Sequence, residues 1–140
     1  MDTKQFPELS VDSPIENFAV VKDWLQSIFD IIGCTGKPAK QLFIAVDEMF
    51  TNIAHYAYQD VGKVYFKASF NTEDKSLKIS ITDNGDKYNP LEKPDPDIAQ
   101  RIKDKTVGGL GIFMTKKMVD NIEYSRVNES NVLVLTKKIN

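Results

Sequence analysis

The stretch Lys63–Gly85, KVYFKASFNTEDKSLKISITDNG, decides the fold class. Within it Ser76–Asp83 alternates cleanly: Leu77, Ile79 and Ile81 against Lys78, Ser80 and Thr82, the period of a half-buried strand. Lys63–Phe70 is a second β-like run rich in aromatics, and NTEDK between them is a turn, so the pair reads as an antiparallel hairpin. Before the hairpin the pattern is helical. Leu42, Val46, Met49, Phe50 and Ile53 form a broad apolar arc on a helix predicted from Pro38 to Tyr58. Gln41, Glu48, Asn52 and His55 share a narrow polar arc, with Ile44 among them. An earlier helix is predicted over Pro14–Ile32, with Phe18, Val21, Trp24, Leu25 and Phe29 on one face and Gly33 as its stop. Ser13 reads as its N-cap, with Pro14 at the first helical position and Glu16 at capping-box spacing. Residues 5–12 read as a short edge strand limited by Pro7.

Beyond the hairpin, Asn84–Lys105 is a polar excursion carrying Pro90, Pro94 and Pro96, with one short helix expected near Asp97–Ile102. An excursion of that length in a small domain is usually functional. An amphipathic helix over Ile112–Asp120 follows, then two β-runs, Ile122–Val127 and Asn131–Ile139. Helices and strands thus come in blocks. That order predicts an α+β two-layer sandwich: a mostly antiparallel mixed sheet covered on one face by about three helices. One domain over residues 1–140 is expected.

Composition narrows the function classes. The chain has 140 residues, 41% hydrophobic and 27% charged, and a formal net charge of −2. It is too short for a two-lobed kinase, a TIM barrel or a full dinucleotide-binding dehydrogenase. It has no global basic field for nucleic acid or an anionic membrane. Cys34 is the only cysteine and His55 the only histidine, which excludes an internal disulfide, Cys-rich metal sites and multi-His sites. No apolar run approaches a membrane span, and MDTKQFPEL lacks a signal-peptide core. A cytoplasmic protein with no direct nucleic-acid or membrane contact is expected.

Three features carry chemistry. Glu48 and Asn52 lie one helical turn apart, so Glu48 can accept a proton while Asn52 offers an oxygen to a cation. A solvent-facing polar stripe is the plainer alternative. Asp83-Asn84-Gly85 ends a strong β-run: the carboxylate can accept from an exocyclic amine, and the glycine lets a flat ring approach the backbone. An ordinary turn reads equally well there. Gly108-Gly109-Leu110-Gly111 precedes a helix, where free N–H groups suit a phosphate. It is neither a Walker A motif nor a Rossmann fingerprint, since no Gly-Lys-Ser/Thr follows and Met114 replaces the third glycine.

Taken in order, DEMFTNIAHYAY (Asp47–Tyr58), ITDNGDKYNP (Ile81–Pro90) and GGLGIFMTKKMVD (Gly108–Asp120) resemble the three nucleotide-binding boxes of the Bergerat ATPase fold. The chain is most similar to the small bacterial branch of that fold, the anti-sigma-factor serine-protein kinases. The resemblance implies an ATP-dependent serine/threonine kinase that binds a sigma factor and phosphorylates a small anti-anti-sigma protein, with ATP and Mg²⁺. It implies Glu48 as general base, Asn52 as the Mg²⁺ ligand, Asp83 on the adenine amino group and Gly85 beneath the ring. It also implies Gly108, Gly109, Leu110, Gly111, Ile112 and Phe113 as the phosphate loop, and Thr136 near the adenine. Lys87 stands where larger members of the fold carry a second glycine, and Asp86 and Tyr88 replace a common small-apolar pair. A homodimer through the first strand and helix fits the family pattern. An ATP- or ADP-gated module that regulates a sigma factor or other partner without phosphoryl transfer is the alternative. His55, Lys103 and Lys105 read as surface groups near the site, Trp24 as core and Cys34 as a bystander thiol.

Overall fold

The computed structural model describes residues 3–92 and 110–139. Six strands form one sheet in which every described pairing is antiparallel. The strands are β1 (Thr3–Gln5), β2 (Leu9–Asp12), β3 (Lys63–Asn71), β4 (Ser76–Asp83), β5 (Asn121–Val127) and β6 (Ser130–Lys138). The order across the sheet is β1-β3-β4-β6-β5, with β2 also pairing with β3. The three described α-helices are α1 (Phe18–Ile32), α2 (Gly36–Asn52) and α3 (Leu110–Met118). The architecture is α+β, as the block order predicts. The short helix expected near Asp97–Ile102 lies outside the described residues.

Alternation explains how the layers meet. Val64, Phe66, Ala68 and Phe70 of β3 and Leu77, Ile79 and Ile81 of β4 are buried, while their neighbours along each strand face outward. Leu133 and Leu135 extend this apolar surface on β6. The helices cover it with Val21, Leu25, Ile28 and Phe29 of α1 and Leu42, Val46, Met49 and Phe50 of α2. Burying such side chains contributes about 1.5–3 kcal/mol each and fixes α2 against the sheet. Trp24 is half-buried: its ring lies 5.9 Å from Phe66, and its Nε1–H donates to the Pro7 carbonyl. No described helix is long and apolar enough to cross a membrane.

At the start of the chain the elements differ from the sequence expectation. Ser13 does not cap α1. Its Oγ accepts from the Gly62 N–H at 3.1 Å and its own N–H donates to the Gly62 carbonyl at 2.8 Å, so it ties β2 to the entry of β3. Pro14 is extended, and a 3₁₀ turn over Ile15–Asn17 leads into α1. Pro7 splits the expected edge strand into β1 and β2, because proline has no N–H for the ladder. Gly33 does end α1, in the left-handed region at φ 74°.

Candidate active site

The first corner of the site is a row across the sheet. Asp83 on β4 lies opposite Asn131 on β6, and Asn131 lies opposite Arg126 on β5. Asp83 continues the buried phase of Leu77, Ile79 and Ile81, so the alternation that builds the core also carries this carboxylate inward. It is 1% exposed. Its Oδ1 accepts from the Gly85 N–H and from Asn131 Nδ2, each at 2.9 Å. Burial pushes the carboxyl above its ordinary range, against the pull of these two hydrogen bonds and the Arg126 charge. Its Oδ2 has no hydrogen-bond donor among the described residues, and a buried acceptor calls for one.

Gly85 is needed for close approach. A Cβ there would lie 2.7 Å from the carbonyl carbon of Ala57. The turn is held to that backbone, because Asp86 N–H donates to the Ala57 carbonyl at 2.7 Å. Asn84 N–H donates to the Tyr58 hydroxyl at 2.8 Å, and that hydroxyl donates to the Lys63 carbonyl.

The second corner sits on α2. Asn52 Nδ2 donates to the Glu48 carbonyl at 2.7 Å, one turn back, which turns Oδ1 away from its own helix. The Tyr88 hydroxyl reaches that oxygen at 3.4 Å, and the Tyr88 ring stacks on Tyr56 with centroids 5.1 Å apart. The Glu48 carboxylate is half-buried and lies against Gly111 in the first turn of α3; a Cβ on Gly111 would fall inside it. Burial, then the neighbouring Asp47 charge, raises its pKa. Past Asn52 the helix widens into a π turn, Ile53–Ala57, of the kind often found at functional sites. His55 falls on that turn and is exposed.

The structure brings Glu48 and Gly111 together, and sets Asn52 near the Asp83–Gly85 turn through Tyr88 and Ala57. Ile112 is buried and Phe113 half-buried in the first turn of α3. That turn, Leu110–Phe113, carries the N–H groups that a helix N-terminus leaves open. Gly108, Gly109, Lys103 and Lys105 lie outside the described residues.

Thr136 does not join the site. It pairs with Lys78 and Asn121, five residues along β6 from Asn131, which is about 17 Å at strand rise. It also faces the outer side of the sheet, with Val132 and Val134, while Asn131, Leu133 and Leu135 face the core. Asn131 occupies the place beside Asp83 that was expected for a threonine. The signal lay in the alternation, as a polar residue in the phase of Leu133 and Leu135. Arg126 and Tyr124 were also missed, since neither belongs to a motif.

The donor set fits an adenine nucleotide. Asp83 Oδ2, which no described residue engages, suits an exocyclic amine, and the α3 N-terminus suits phosphate oxygens. The space a side chain at Gly85 would need is taken by the Ala57 backbone rather than left for a ring. Asn52 Oδ1 is the hard oxygen that Mg²⁺ prefers.

Comparison with known proteins gives the same direction. Residues 12–137 match the family described as the histidine kinase-like ATPase domain. The serine-protein kinase RsbW of Staphylococcus aureus (strain JH9) is 31% identical over 151 residues, covering 99% of this chain and 91% of that one. The serine-protein kinase RsbW of Bacillus velezensis is 25% identical over 138 residues, covering 95% and 85%. Among solved structures, the RsbU and RsbW domains of Rv1364c from Mycobacterium tuberculosis superpose with a TM-score of 0.67 at 16% identity. That match covers 96% of this chain and 33% of that one. The histidine kinase domain of the Erythrobacter litoralis EL346 blue-light activated kinase superposes at 0.54 with 18% identity, covering 86% and 60%. These two share the fold. The family match over most of the chain and the staphylococcal relative at 31% identity place the molecule: it belongs to the histidine kinase-like ATPase domain family, in the branch of the RsbW serine-protein kinases.

Proposed function

We propose that the chain is an ATP-dependent serine/threonine protein kinase that binds a sigma factor and phosphorylates a small anti-anti-sigma protein. The carrying observation is Glu48. Its carboxylate has no hydrogen-bond partner among the described residues, stands at the start of α3 and lies one turn from Asn52. A half-buried carboxylate that no described residue engages, with its pKa raised by burial, suits a base that must accept a proton. The names of the relatives support the same chemistry.

In this reading the acceptor hydroxyl gives its proton to Glu48 as its oxygen bonds to the γ-phosphorus. The bond from that phosphorus to the bridging oxygen breaks, and ADP leaves with the electron pair. The N–H groups of Gly111, Ile112 and Phe113 face the phosphates and offset charge on the transferred group. Asn52 Oδ1 is the group that would hold Mg²⁺, which would supply further charge neutralisation when bound. A sigma-factor partner implies a cytoplasmic setting.

The test is transfer of label from γ-labelled ATP, with Mg²⁺, to a cognate anti-anti-sigma protein. Label on a serine or threonine is expected. ATP binding without transfer to that partner would sink the kinase reading and leave a nucleotide-gated binding module. In that case Glu48→Gln would leave the switch between partners unchanged.

A further inference from the structure

We propose that Asn131, backed by Arg126, is a positioning residue that sets base selectivity: it holds Asp83 as a carboxylate with one oxygen engaged and the other turned to the base, so that the site takes a 6-amino purine over a 6-oxo purine. This rests on the nucleotide reading above.

Asn131 is 2% exposed and fully bonded. Its Nδ2 donates to Asp83 Oδ1 at 2.9 Å and to the Asp86 carbonyl at 2.8 Å. Its Oδ1 accepts from Arg126 Nη1 at 3.1 Å, from the Tyr88 N–H at 3.2 Å and from the Tyr124 hydroxyl. This partner set fixes the amide. A guanidinium and a backbone N–H can only donate, and a carboxylate and a carbonyl can only accept, so a flipped Asn131 would lose every bond except the one to the tyrosine hydroxyl. Arg126 is anchored in turn on the Gly85 carbonyl at 2.9 Å. One row across β4, β6 and β5 therefore locks the carboxylate, the turn that follows it and the guanidinium.

The consequence is chemical. A carboxylate accepts from the 6-amino group of adenine. A protonated carboxyl in the same place would donate, and so would suit the 6-oxo group of hypoxanthine or guanine. Burial favours the proton on Asp83. The groups facing it are the Tyr58 and Tyr124 hydroxyls, the Arg126 charge, the Gly85 N–H and Asn131. Of these, Asn131 donates directly from a neighbouring strand, and it passes the Arg126 charge along the same row.

The test compares ATP and ITP, which differ at the 6-position, by calorimetric titration of the full chain with Mg²⁺. Wild type should prefer ATP by about tenfold or more, the worth of one charge-assisted hydrogen bond. Asn131→Thr retains a donor and should keep most of that preference. Asn131→Val has the same shape without the donor and should bring the two affinities within about threefold of each other. A purely structural role would weaken both nucleotides together and leave the ratio intact. A wild-type ratio in Asn131→Val overturns the proposal. Asp83→Asn separates the two claims. Should it lose the ATP preference while Asn131→Val keeps it, the nucleotide reading stands and Asn131 has no selective role. Should Asp83→Asn also keep it, the base is read elsewhere: nucleotide binding stands, and the Asp83 and Asn131 roles fall together. Arg126→Met carries the same measurement if Asn131→Val does not fold: the ratio should fall, and an unchanged ratio overturns the proposal.

Discussion

The two corners of the site are built on opposite plans. The Asp83 corner is a row across three strands, buried, with Asn131 satisfied on every side and one Asp83 oxygen that no described residue engages. The Glu48 corner rests on two helices, half-buried, and its carboxylate has no hydrogen-bond partner among the described residues. Recognition needs a fixed arrangement, which a fully bonded sheet row provides. Proton transfer needs a group whose partners change, and a bonded carboxylate would have to break a contact first. The difference teaches where each corner is vulnerable. Changes near Asp83 should cost binding and stability, and changes near Glu48 should cost rate.

The largest test of that division is Glu48→Gln. Loss of the proposed base should lower phosphoryl transfer about 100- to 10,000-fold, with ATP affinity and unfolding free energy close to wild type. Label transfer, calorimetry and urea titration on one preparation read all three. Equal losses of affinity and rate would erase the division.

Two glycines sharpen it from opposite sides. At Gly85 a Cβ would meet the Ala57 backbone, which cannot move without breaking the Asp86 hydrogen bond. Gly85→Ala should therefore destabilise by about 1–3 kcal/mol and weaken nucleotide binding. At Gly111 the atoms in the way belong to the end of the Glu48 side chain, which can turn aside. Gly111→Ala should leave stability unchanged or raise it by up to about 1 kcal/mol through helix propensity. Its transfer rate should nevertheless fall about tenfold, because the base is misplaced. A Gly111→Ala protein with wild-type turnover would show that the Glu48 position against α3 is incidental.

A smaller effect is expected in the pH dependence of stability. The folded pKa of Asp83 lies above its ordinary value, so the folded state holds this proton more tightly than the unfolded state. Its contribution favours folding at low pH and is lost as pH rises through the raised value. Asp83→Asn keeps a carbonyl for Gly85 and Asn131 but removes the titration. The fall in unfolding free energy between acid and neutral pH should then be shallower than in wild type. An identical slope would mean that the row compensates the burial of Asp83 completely.

These contrasts also explain what the sequence made legible. Alternation in Ser76–Asp83 and the helical arc from Leu42 to Ile53 are local periodicities, and they placed the core, α2 and the segments that carry Glu48, Asn52 and Asp83. Glu48, Asn52, Asp83 and Gly85 were visible because each belongs to a local pattern. Asn131 and Arg126 were not, because their roles depend on strand register, and register is set by pairing between distant segments. Thr136 was misplaced for the same reason: its distance from Asp83 follows from the pairing of Asp83 with Asn131. Ser13 looked like a helix cap from its neighbours in sequence, and its partner proved to be Gly62 on another segment.

The smallest prediction concerns Asp47, and it tests whether the Glu48 corner is tuned or merely exposed. Glu48 must be ionised to accept a proton, so transfer should fall as pH drops through its raised pKa. The acid limb of the rate profile should therefore lie above the ordinary glutamate range. Burial is the larger cause of that rise and Asp47 the lesser. Asp47 is exposed, where water and salt screen its charge. Asp47→Asn should move the limb to lower pH by less than Gly111→Ala does, and less still at high salt. A larger displacement would make charge rather than burial the main setting of the base. Since burial of Glu48 comes from its contact with α3, Gly111→Ala should move the limb in the same direction, and further.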